Sequence, residues 1–277
     1  MNNVSRWGGY LAMASCTITL SLVALAEAPA IAISQIVQPE ETPFAQHFQD
    51  LGIEGSILIY DSNADRSYGH GCDRNTTPFL PASTFKILNA LIALETGVIA
   101  SDLSLLTWDG IERSIPAWNR DHNLRTAFRA STVWFYQVLA RRIGHGPMQQ
   151  WVIAAGYGNQ AIGSEDAIDT FWLTGDLRIT PQEQIQFLQR LQRNQLPFSE
   201  KTLATVKDIM LVEQTPDYTI RAKTGWALAT GVGWYVGYVE QNENVYFFAT
   251  NIDIQDETDL PNRIEVTRRS LETLQLL

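Results

Sequence analysis

The chain has 277 residues, of which 45% are hydrophobic and 18% charged, and this balance is typical of a globular protein. Its length predicts one large domain or a domain with an insertion. The formal net charge of -10 argues against a nucleic-acid partner, because such a partner favours a basic face.

The N-terminal segment has the pattern of a secretory signal peptide. Arg6 precedes a mostly apolar run, and A-x-A cleavage sequences follow at Ala24-Leu25-Ala26 and Ala30-Ile31-Ala32. We therefore predict a signal peptide over residues 1–32, one domain over residues 33–277, and a periplasmic protein without a membrane segment after cleavage. The alternative is an uncleaved membrane anchor; no later run is long and apolar enough to span a bilayer.

The cysteines and histidines indicate neither a disulfide nor a metal site. Cys16 lies in the predicted signal peptide, so the mature chain would retain Cys72 alone, without an internal disulfide. The four histidines are scattered, whereas a zinc hydrolase needs histidines clustered at ligand spacing. We expect no metal cofactor.

In chain order, the pattern predicts strands, helices, strands and a final helix. A linker and short helix over residues 33–50 precede two strands in GSILIYDSNADRSYGHG, joined by a turn at 62–65. Residues 83 to about 214 are predicted to be largely helical. The β-rich segments DYTIRAKTG, GVGWYVGYVE and NVYFFATNIDI follow, with a hairpin turn at 240–243 and a closing helix over 260–277. This order predicts an α+β fold whose antiparallel sheet is assembled from both ends of the chain, with a helical region inserted between them.

A serine and a lysine stand at the entrance of an apolar helix, in the run PASTFKILNALIALETGVI. Ser83 and Lys86 are three residues apart and can meet on one helix face. A serine nucleophile needs a base within hydrogen-bond reach, and burial among apolar groups would favour the neutral lysine amine. The helix N-terminus favours a developing oxyanion. The alternative is that Ser83 or Thr84 caps the helix and Lys86 carries its charge outward.

The distribution of lysines favours the catalytic interpretation. The chain has four lysines: Lys86, Lys201, Lys207 and Lys223. Lys86 ends the motif S-x-x-K, and Lys223 begins the motif K-T-G. These motifs occur together in penicillin-recognising serine enzymes. A strand over RAKTGW could align a substrate amide, Gly225 would allow close approach, and Lys223 would attract an anionic substrate. The alternative for Lys223 is a surface lysine before a turn.

Three later segments are ambiguous by themselves. Ser131 in ASTVWFYQ could relay a proton or bond to its own helix backbone. The segment Tyr157-Gly158-Asn159 fits an ordinary turn. Trp172 and Leu173, in FWLTGD, fit plain core packing.

Taken in order, the motifs PASTFKI, STV, YGN, FWL and KTGW resemble those of the class D, or oxacillinase-type, serine β-lactamases. The resemblance covers the chain from Gly55-Ser56 to the final helix. The ordered set of five motifs is more specific than any one motif alone. The second motif is S-T-V rather than the S-D-N of class A, and no E-x-x-L-N segment follows. The connection from Ala227 to Val232 is short for the family.

The resemblance implies a β-lactamase/transpeptidase-like fold and a role for each matching residue. Ser83 would attack the β-lactam carbonyl and form an acyl-enzyme. Lys86 would be N-carboxylated by carbon dioxide and act as general base, in a pocket walled by Val133, Trp172 and Leu173. The Trp172 indole N–H would hold the carbamate.

The remaining roles concern proton transfer and substrate binding. Ser131 would shuttle protons, and the backbone N–H groups of Ser83 and Trp226 would form the oxyanion hole. A group of polar residues would bind the substrate carboxylate: Lys223, Thr224 and Arg263. For Arg263 the alternative is an ordinary arginine at a helix start.

The resemblance thus implies hydrolysis of small penicillin-type β-lactams and antibiotic resistance, with carbon dioxide as the single added group. We expect no nucleic-acid partner, and the sequence leaves a homodimer open. Two alternatives share the motifs: a penicillin-binding D,D-peptidase and a β-lactam sensor domain, both acylated without fast turnover. A catalytically inactive binding module is disfavoured because every marker residue is intact.

Overall fold

The computed structural model describes Met1 and residues 43–277, so the predicted signal peptide lies outside the described residues apart from Met1. Within residues 43–277, six strands form an antiparallel sheet in the order β2-β1-β6-β5-β4-β3. The strands are β1 Gly55–Asp61, β2 Arg66–His70, β3 Leu211–Gln214, β4 Thr219–Ala227, β5 Val232–Gln241 and β6 Asn244–Asp253.

The sheet joins the two ends of the described chain. β1 pairs with β6 in a register that runs from Gly55 opposite Ile252 to Asp61 opposite Tyr246. The strands that precede the helical region therefore occupy one side of the sheet, and those that follow it complete the other. The predicted α+β fold, with a sheet built from both ends of the chain, is confirmed.

Helices cover both faces of this sheet. They are α1 Phe44–Leu51, α2 Cys72–Asn75, α3 Lys86–Glu95, α4 Leu124–Arg129, α5 Val133–Ile143, α6 His145–Ala154, α7 Pro181–Gln192, α8 Glu200–Ile209 and α9 Asn262–Thr273. Apolar residues of α1 and α9 share one core with the sheet, and the inserted helices share a second core with its other face. Because both faces are covered, β5 is buried continuously from Val232 to Val239.

Two boundaries differ from the sequence prediction. Residues 211–214 are strand β3 rather than helix, because their backbone pairs with β4 after α8 has ended at Ile209. Tertiary pairing of this kind is not visible in a short local pattern. The second hairpin turn consists of Asn242 and Glu243 alone, both with positive φ, so β5 continues through Gln241. The predicted turn at 62–65 is confirmed.

The described residues contain neither a membrane-spanning helix nor a cluster of metal ligands. Over residue 1 and residues 43–277, no helix is long and apolar enough to cross a membrane. Over the same residues, no group of three or more histidine, cysteine, aspartate and glutamate side chains is arranged to hold a metal ion.

Candidate active site

Ser83 lies on a 3₁₀ turn, Ala82–Phe85, that leads directly into α3. The turn begins at Ala82, whose φ of 47° is left-handed and whose N–H donates to the Trp172 carbonyl oxygen at 3.0 Å. Thr84 donates its hydroxyl back to Pro81 O at 2.7 Å. Ser83 makes no capping bond and lies instead 2.8 Å from the Lys86 amine, so the capping alternative for Ser83 is wrong.

Lys86 is completely buried at the first position of α3, which excludes the interpretation that it carries its charge outward. Its Nζ lies 2.8 Å from Ser83 Oγ, 2.6 Å from Ser131 O and 3.0 Å from Ser131 Oγ. Burial lowers the pKa of Lys86 well below its usual range, and the positive charge of Lys223 lowers it further. A neutral amine donates two hydrogens to Ser131 and keeps a lone pair for the Ser83 hydroxyl.

Ser131 connects the two lysines of the site. It precedes α5 in a left-handed conformation, with φ of 52°. Its Oγ accepts from Lys86 and, at 3.1 Å, from Lys223 Nζ. A continuous hydrogen-bonded chain therefore runs from the Ser83 hydroxyl through Lys86 and Ser131 to Lys223. The alternative, a serine bonded only to its own helix backbone, is wrong.

The segment before α4 holds the Ser131 turn in place. Trp118 donates its indole N–H to Ala130 O, and Trp134 donates its own to Trp118 O, each at 2.8 Å. His122 is buried, and its Nε2 lies 3.0 Å from Ala117 O and 3.3 Å from Thr132 Oγ1. The hydrogen bonds at Ala130 and Thr132 therefore fix the residues immediately before and after Ser131.

Lys223 is nearly buried on β4 and also donates to Thr224 O at 2.9 Å. Burial lowers the pKa of Lys223 to about 7, with a contribution from the positive charge of Arg263. β3 pairs with β4 only as far as Arg221, and Ala222 N–H donates to Met210 O on that same side. Backbone groups alternate along a strand, so the Trp226 N–H faces this side where β3 no longer covers it.

Gly225 brings β4 against the turn that carries Ser83. A Cβ at this position would lie 3.1 Å from Pro81 O and 3.2 Å from Thr84 Cγ2. The absence of a side chain at Gly225 therefore lets the strand pack against the turn Ala82–Phe85, called the nucleophile turn below. The sequence had suggested only that Gly225 lets the substrate approach closely.

Arg263 adds a third basic side chain near the start of α9. Its Nη1 donates to Gly225 O at 3.2 Å, which brings the predicted carboxylate-binding arginine to the K-T-G strand. Burial lowers the pKa of Arg263 to about 10. Over residues 43–277, no aspartate or glutamate forms an ion pair with Lys86, Lys223 or Arg263. The site thus attracts an anion.

Trp172, a member of the predicted lysine pocket, has a buried indole N–H without an acceptor among the described residues. It is fully buried and stacks on Phe85, with ring centroids 5.4 Å apart. Val133 and Leu173 are half-buried, at the start of α5 and beside the core respectively, and their contact with Lys86 stays a prediction.

Some residues that shape the site did not stand out in the sequence. The Tyr136 ring lies under the Lys86 amine, 5.4 Å from Nζ to the ring centroid. Its position on α5, three residues after Val133, was a signal that it shares the Val133 face. Trp234 donates its indole N–H to Leu80 O at 2.9 Å and so ties β5 to the segment before Ser83.

The sheet and the Ser83–Lys86–Ser131–Lys223 chain define a penicillin-recognising serine protein, and comparison with known proteins agrees. A family model described as the penicillin-binding protein transpeptidase domain matches residues 54–272. This match supports the fold without separating peptidases from lactamases.

Individual relatives distinguish between the peptidases and the lactamases that share this fold. β-Lactamase OXA-48 of Klebsiella pneumoniae is 41% identical over 235 residues, covering 84% of this chain and 88% of the relative. The crystal structure of the class D β-lactamase YbXI from Nostoc is 60% identical, with a TM-score of 0.83 over 84% of this chain and 99% of that chain. A class D structure from Bacillus subtilis is 34% identical, with a TM-score of 0.80 over 87% and 99% of the two chains. The chain belongs to the class D β-lactamases, a family of β-lactam hydrolases, and the resemblance seen in its motifs is confirmed.

Proposed function

We propose that the protein hydrolyses penicillin-type β-lactams through an acyl-enzyme on Ser83 and thereby confers antibiotic resistance. The observation that carries this proposal is the buried chain of hydrogen bonds from Ser83 through Lys86 and Ser131 to Lys223. The Ser83 hydroxyl lies 2.8 Å from an amine whose neutral form is favoured by burial, and a serine nucleophile requires a base at such a distance.

In acylation, Ser83 Oγ attacks the lactam carbonyl carbon while its proton passes to the base at Lys86, which is the neutral Nζ as long as the lysine carries no added group. The backbone N–H groups of Ser83 and Trp226 stabilise the resulting oxyanion. When the C–N bond of the ring breaks, the nitrogen needs a proton. Ser131 Oγ is suited to supply it, because both lysines lie within 3.1 Å of that oxygen and can replace the proton.

The cations of the site bind the carboxylate that penicillins carry. Lys223 and Arg263 lie at the K-T-G strand without a partner acid among residues 43–277, and Thr224 adds a hydroxyl. An anion is therefore bound without displacing an existing ion pair. Charge-assisted hydrogen bonds of this kind are among the stronger contacts available to a ligand.

The surroundings of Lys86 fit carbon dioxide as an added group. The amine is buried, burial favours the neutral form that carboxylation requires, and the Trp172 N–H has no acceptor among the described residues. When bound on Lys86, the group supplies a carboxylate oxygen as general base for acylation and deacylation. Lys86 would carry it, Trp172 would hold it by the indole N–H, and Val133 and Leu173 would keep the pocket dry.

The test is benzylpenicillin hydrolysis by the purified mature protein, in buffer depleted of carbon dioxide and in buffer with added bicarbonate. We expect many turnovers, at a rate that rises with bicarbonate. A Ser83→Ala variant is the control, and mass spectrometry should find no acyl adduct on it. A single stoichiometric burst that bicarbonate does not change would replace this function with that of a D,D-peptidase or a sensor.

The proposal includes export to the periplasm, where β-lactams act. It rests on the charged, apolar and small-residue order of residues 1–32. N-terminal sequencing of protein from the periplasmic fraction should begin after Ala26 or after Ala32. Full-length protein confined to the cytoplasm would contradict it. A homodimer stays a prediction.

A further inference from the structure

The two lysines of the site share one hydroxyl. Lys86 Nζ lies 3.0 Å and Lys223 Nζ 3.1 Å from Ser131 Oγ. The two nitrogens are therefore no more than about 6 Å apart, a distance at which two charges inside a protein interact strongly. Both lysines are almost inaccessible to solvent, with Lys86 0% and Lys223 4% exposed.

The positive charge of this region is not balanced. Arg263 donates to Gly225 O beside Lys223, and no described aspartate or glutamate forms an ion pair with Lys86, Lys223 or Arg263. A buried charge is costly unless an opposite charge or several hydrogen bonds offset it. Within residues 43–277, the positive charge of the site thus has no carboxylate partner.

We propose that Lys223 is the counter-ion that causes Lys86 to bind carbon dioxide, in addition to its contact with the substrate carboxylate. The proposal rests on the proposed carboxylation of Lys86. It makes Lys223 a positioning residue in the resting enzyme: it prepares the general base before any substrate arrives.

The reaction conserves atoms and charge. The lone pair of neutral Lys86 Nζ forms a bond to the carbon of carbon dioxide, and one C–O π bond breaks with its electrons moving to oxygen. The nitrogen then loses one proton to solvent. The products are an N-carboxylate on Lys86 and a proton in solution, and the reaction neither makes nor breaks a bond to Lys223.

Both effects of the Lys223 charge act in the same direction. The charge lowers the pKa of Lys86 and so increases the fraction of reactive neutral amine. It then attracts the anion that forms on the same nitrogen. Loss of the charge would therefore weaken carbon dioxide binding on both grounds, with no compensating gain.

The coupling is reciprocal. Without an anion nearby, burial lowers the pKa of Lys223 to about 7, so this lysine is only partly charged at neutral pH. A carboxylate on Lys86 would raise that pKa and keep Lys223 charged. By linkage, carbon dioxide and the Lys223 proton each strengthen the binding of the other.

The experiment is a titration of the mature protein with ¹³C-bicarbonate, in which the carbamate signal in the ¹³C NMR spectrum gives the affinity for carbon dioxide. Lys223→Met keeps the length of the side chain and removes its charge, and we expect its affinity to fall on the order of tenfold or more. Lys223→Arg keeps the charge and should stay within about threefold of the wild type.

A matched control is Lys207→Met, at a lysine that donates to Gln192 O and Asn194 Oδ1 outside the site. Its carbon dioxide affinity should equal that of the wild type. If Lys223→Met fails to fold, as judged by circular dichroism, Lys223→Gln provides the same comparison with a polar side chain.

The outcomes separate this inference from the proposed function. A wild-type carbamate whose affinity is unchanged in Lys223→Met and Lys223→Gln overturns the inference and leaves carboxylation of Lys86 intact. Loss of affinity in Lys223→Arg equal to that in Lys223→Met also overturns it, because shape and not charge would then matter. No carbamate on the wild type would overturn carboxylation itself, and the inference with it.

Discussion

Ser131 adopts a left-handed backbone conformation, with φ of 52°, although it has a side chain. Such a conformation costs about 1–3 kcal/mol at a non-glycine residue. Here it allows one residue to offer two acceptors to the same amine, its carbonyl oxygen at 2.6 Å and its Oγ at 3.0 Å. The Trp118 and Trp134 indole bonds on either side of the turn help to hold that conformation. The strain thus serves to orient Lys86.

Trp172→Phe tests the predicted carbamate ligand. Phenylalanine can keep the stacking on Phe85 but lacks the indole N–H, which has no acceptor among the described residues. We expect turnover of benzylpenicillin at ambient carbon dioxide to fall by about one to two orders of magnitude, the loss of roughly one charge-assisted hydrogen bond. Added bicarbonate should restore much of it, as steady-state assays over a bicarbonate series would show.

Failure of bicarbonate to rescue Trp172→Phe would change the role assigned to Trp172. A Trp172→Phe enzyme that bicarbonate does not rescue, with a thermal midpoint well below that of the wild type, would make Trp172 a packing residue. Phe171 offers a control at the neighbouring position, because it also packs on Phe85, with centroids 5.0 Å apart, and has no polar atom. Phe171→Leu should show no bicarbonate dependence beyond that of the wild type.

The pKa of Lys223, lowered to about 7, predicts how substrate binding responds to pH. A lysine is charged below its pKa, so the charge at Lys223 is lost as the pH rises through about 7. In a Ser83→Ala background, which binds without reacting, the Kd for benzylpenicillin should increase on the order of tenfold from about pH 6 to pH 9. Calorimetry in buffer depleted of carbon dioxide measures this directly.

Lys223→Arg in the same background is the control for this pH dependence. A guanidinium stays charged over this range, so the Kd of the double variant should be nearly constant. Lys86 is present in both proteins, so a pH dependence that it causes would appear in both. An equal pH dependence in both proteins would assign the titration to another group.

At the scale of elements, the nucleophile turn is supported by aromatic rings and by the loop that follows α6. Phe85 packs against Tyr157 and Phe171 with ring centroids 5.6 and 5.0 Å apart. Asn159 fixes the loop, because its N–H donates to Arg178 O and its side chain accepts from Arg178 N–H, both at 2.9 Å. The segment Tyr157-Gly158-Asn159 is therefore a brace that packs against Phe85, between Ser83 and Lys86 in the chain, rather than an ordinary turn.

Gly158→Ala tests this brace. Gly158 has φ of 53°, and a Cβ there would overlap the Arg178 carbonyl oxygen, so the loop must move. We expect a loss of several kcal/mol in the free energy of unfolding, together with reduced activity. Gly97→Ala is the matched control: its φ of 70° is equally left-handed, but a Cβ would meet nothing within 4 Å. It should cost only about 1 kcal/mol.

Chemical denaturation measures both glycine variants on one scale. The difference between them isolates the overlap with Arg178 from the cost of a left-handed alanine. Equal losses in the two variants would mean that the loop yields easily, and the brace would then contribute little to the position of Ser83.

At the scale of the whole molecule, the order of strands and helices was predictable because the two chain ends carry β-branched and aromatic runs and the middle carries helical periodicity. The S-x-x-K spacing likewise predicted the contact between Ser83 and Lys86, since one helical turn decides it. The join between Ser131 and Lys223 was not predictable from spacing, because it spans 92 residues and depends on how α5 meets β4. The sequence suggested that contact only through the family resemblance.

Other features of the site depend on three-dimensional packing alone. The position of Tyr136 under Lys86 and the bond from Trp234 to Leu80 O arise where separate elements meet. β3 was mistaken for helix for the same reason, because four residues after α8 become a strand only by pairing with β4. Local patterns predict elements and their contents, whereas distant contacts require the assembled sheet.

The pairing of β1 with β6 also sets the timing of folding. Gly55–Asp61 cannot find its partner until residues 246–252 have left the ribosome, so the central ladder closes a loop that contains the whole helical region. Such long-range pairing is slow, because the entropy of loop closure is lost before the contacts form. The growing chain therefore stays without its finished sheet during synthesis, which would suit the export that we propose.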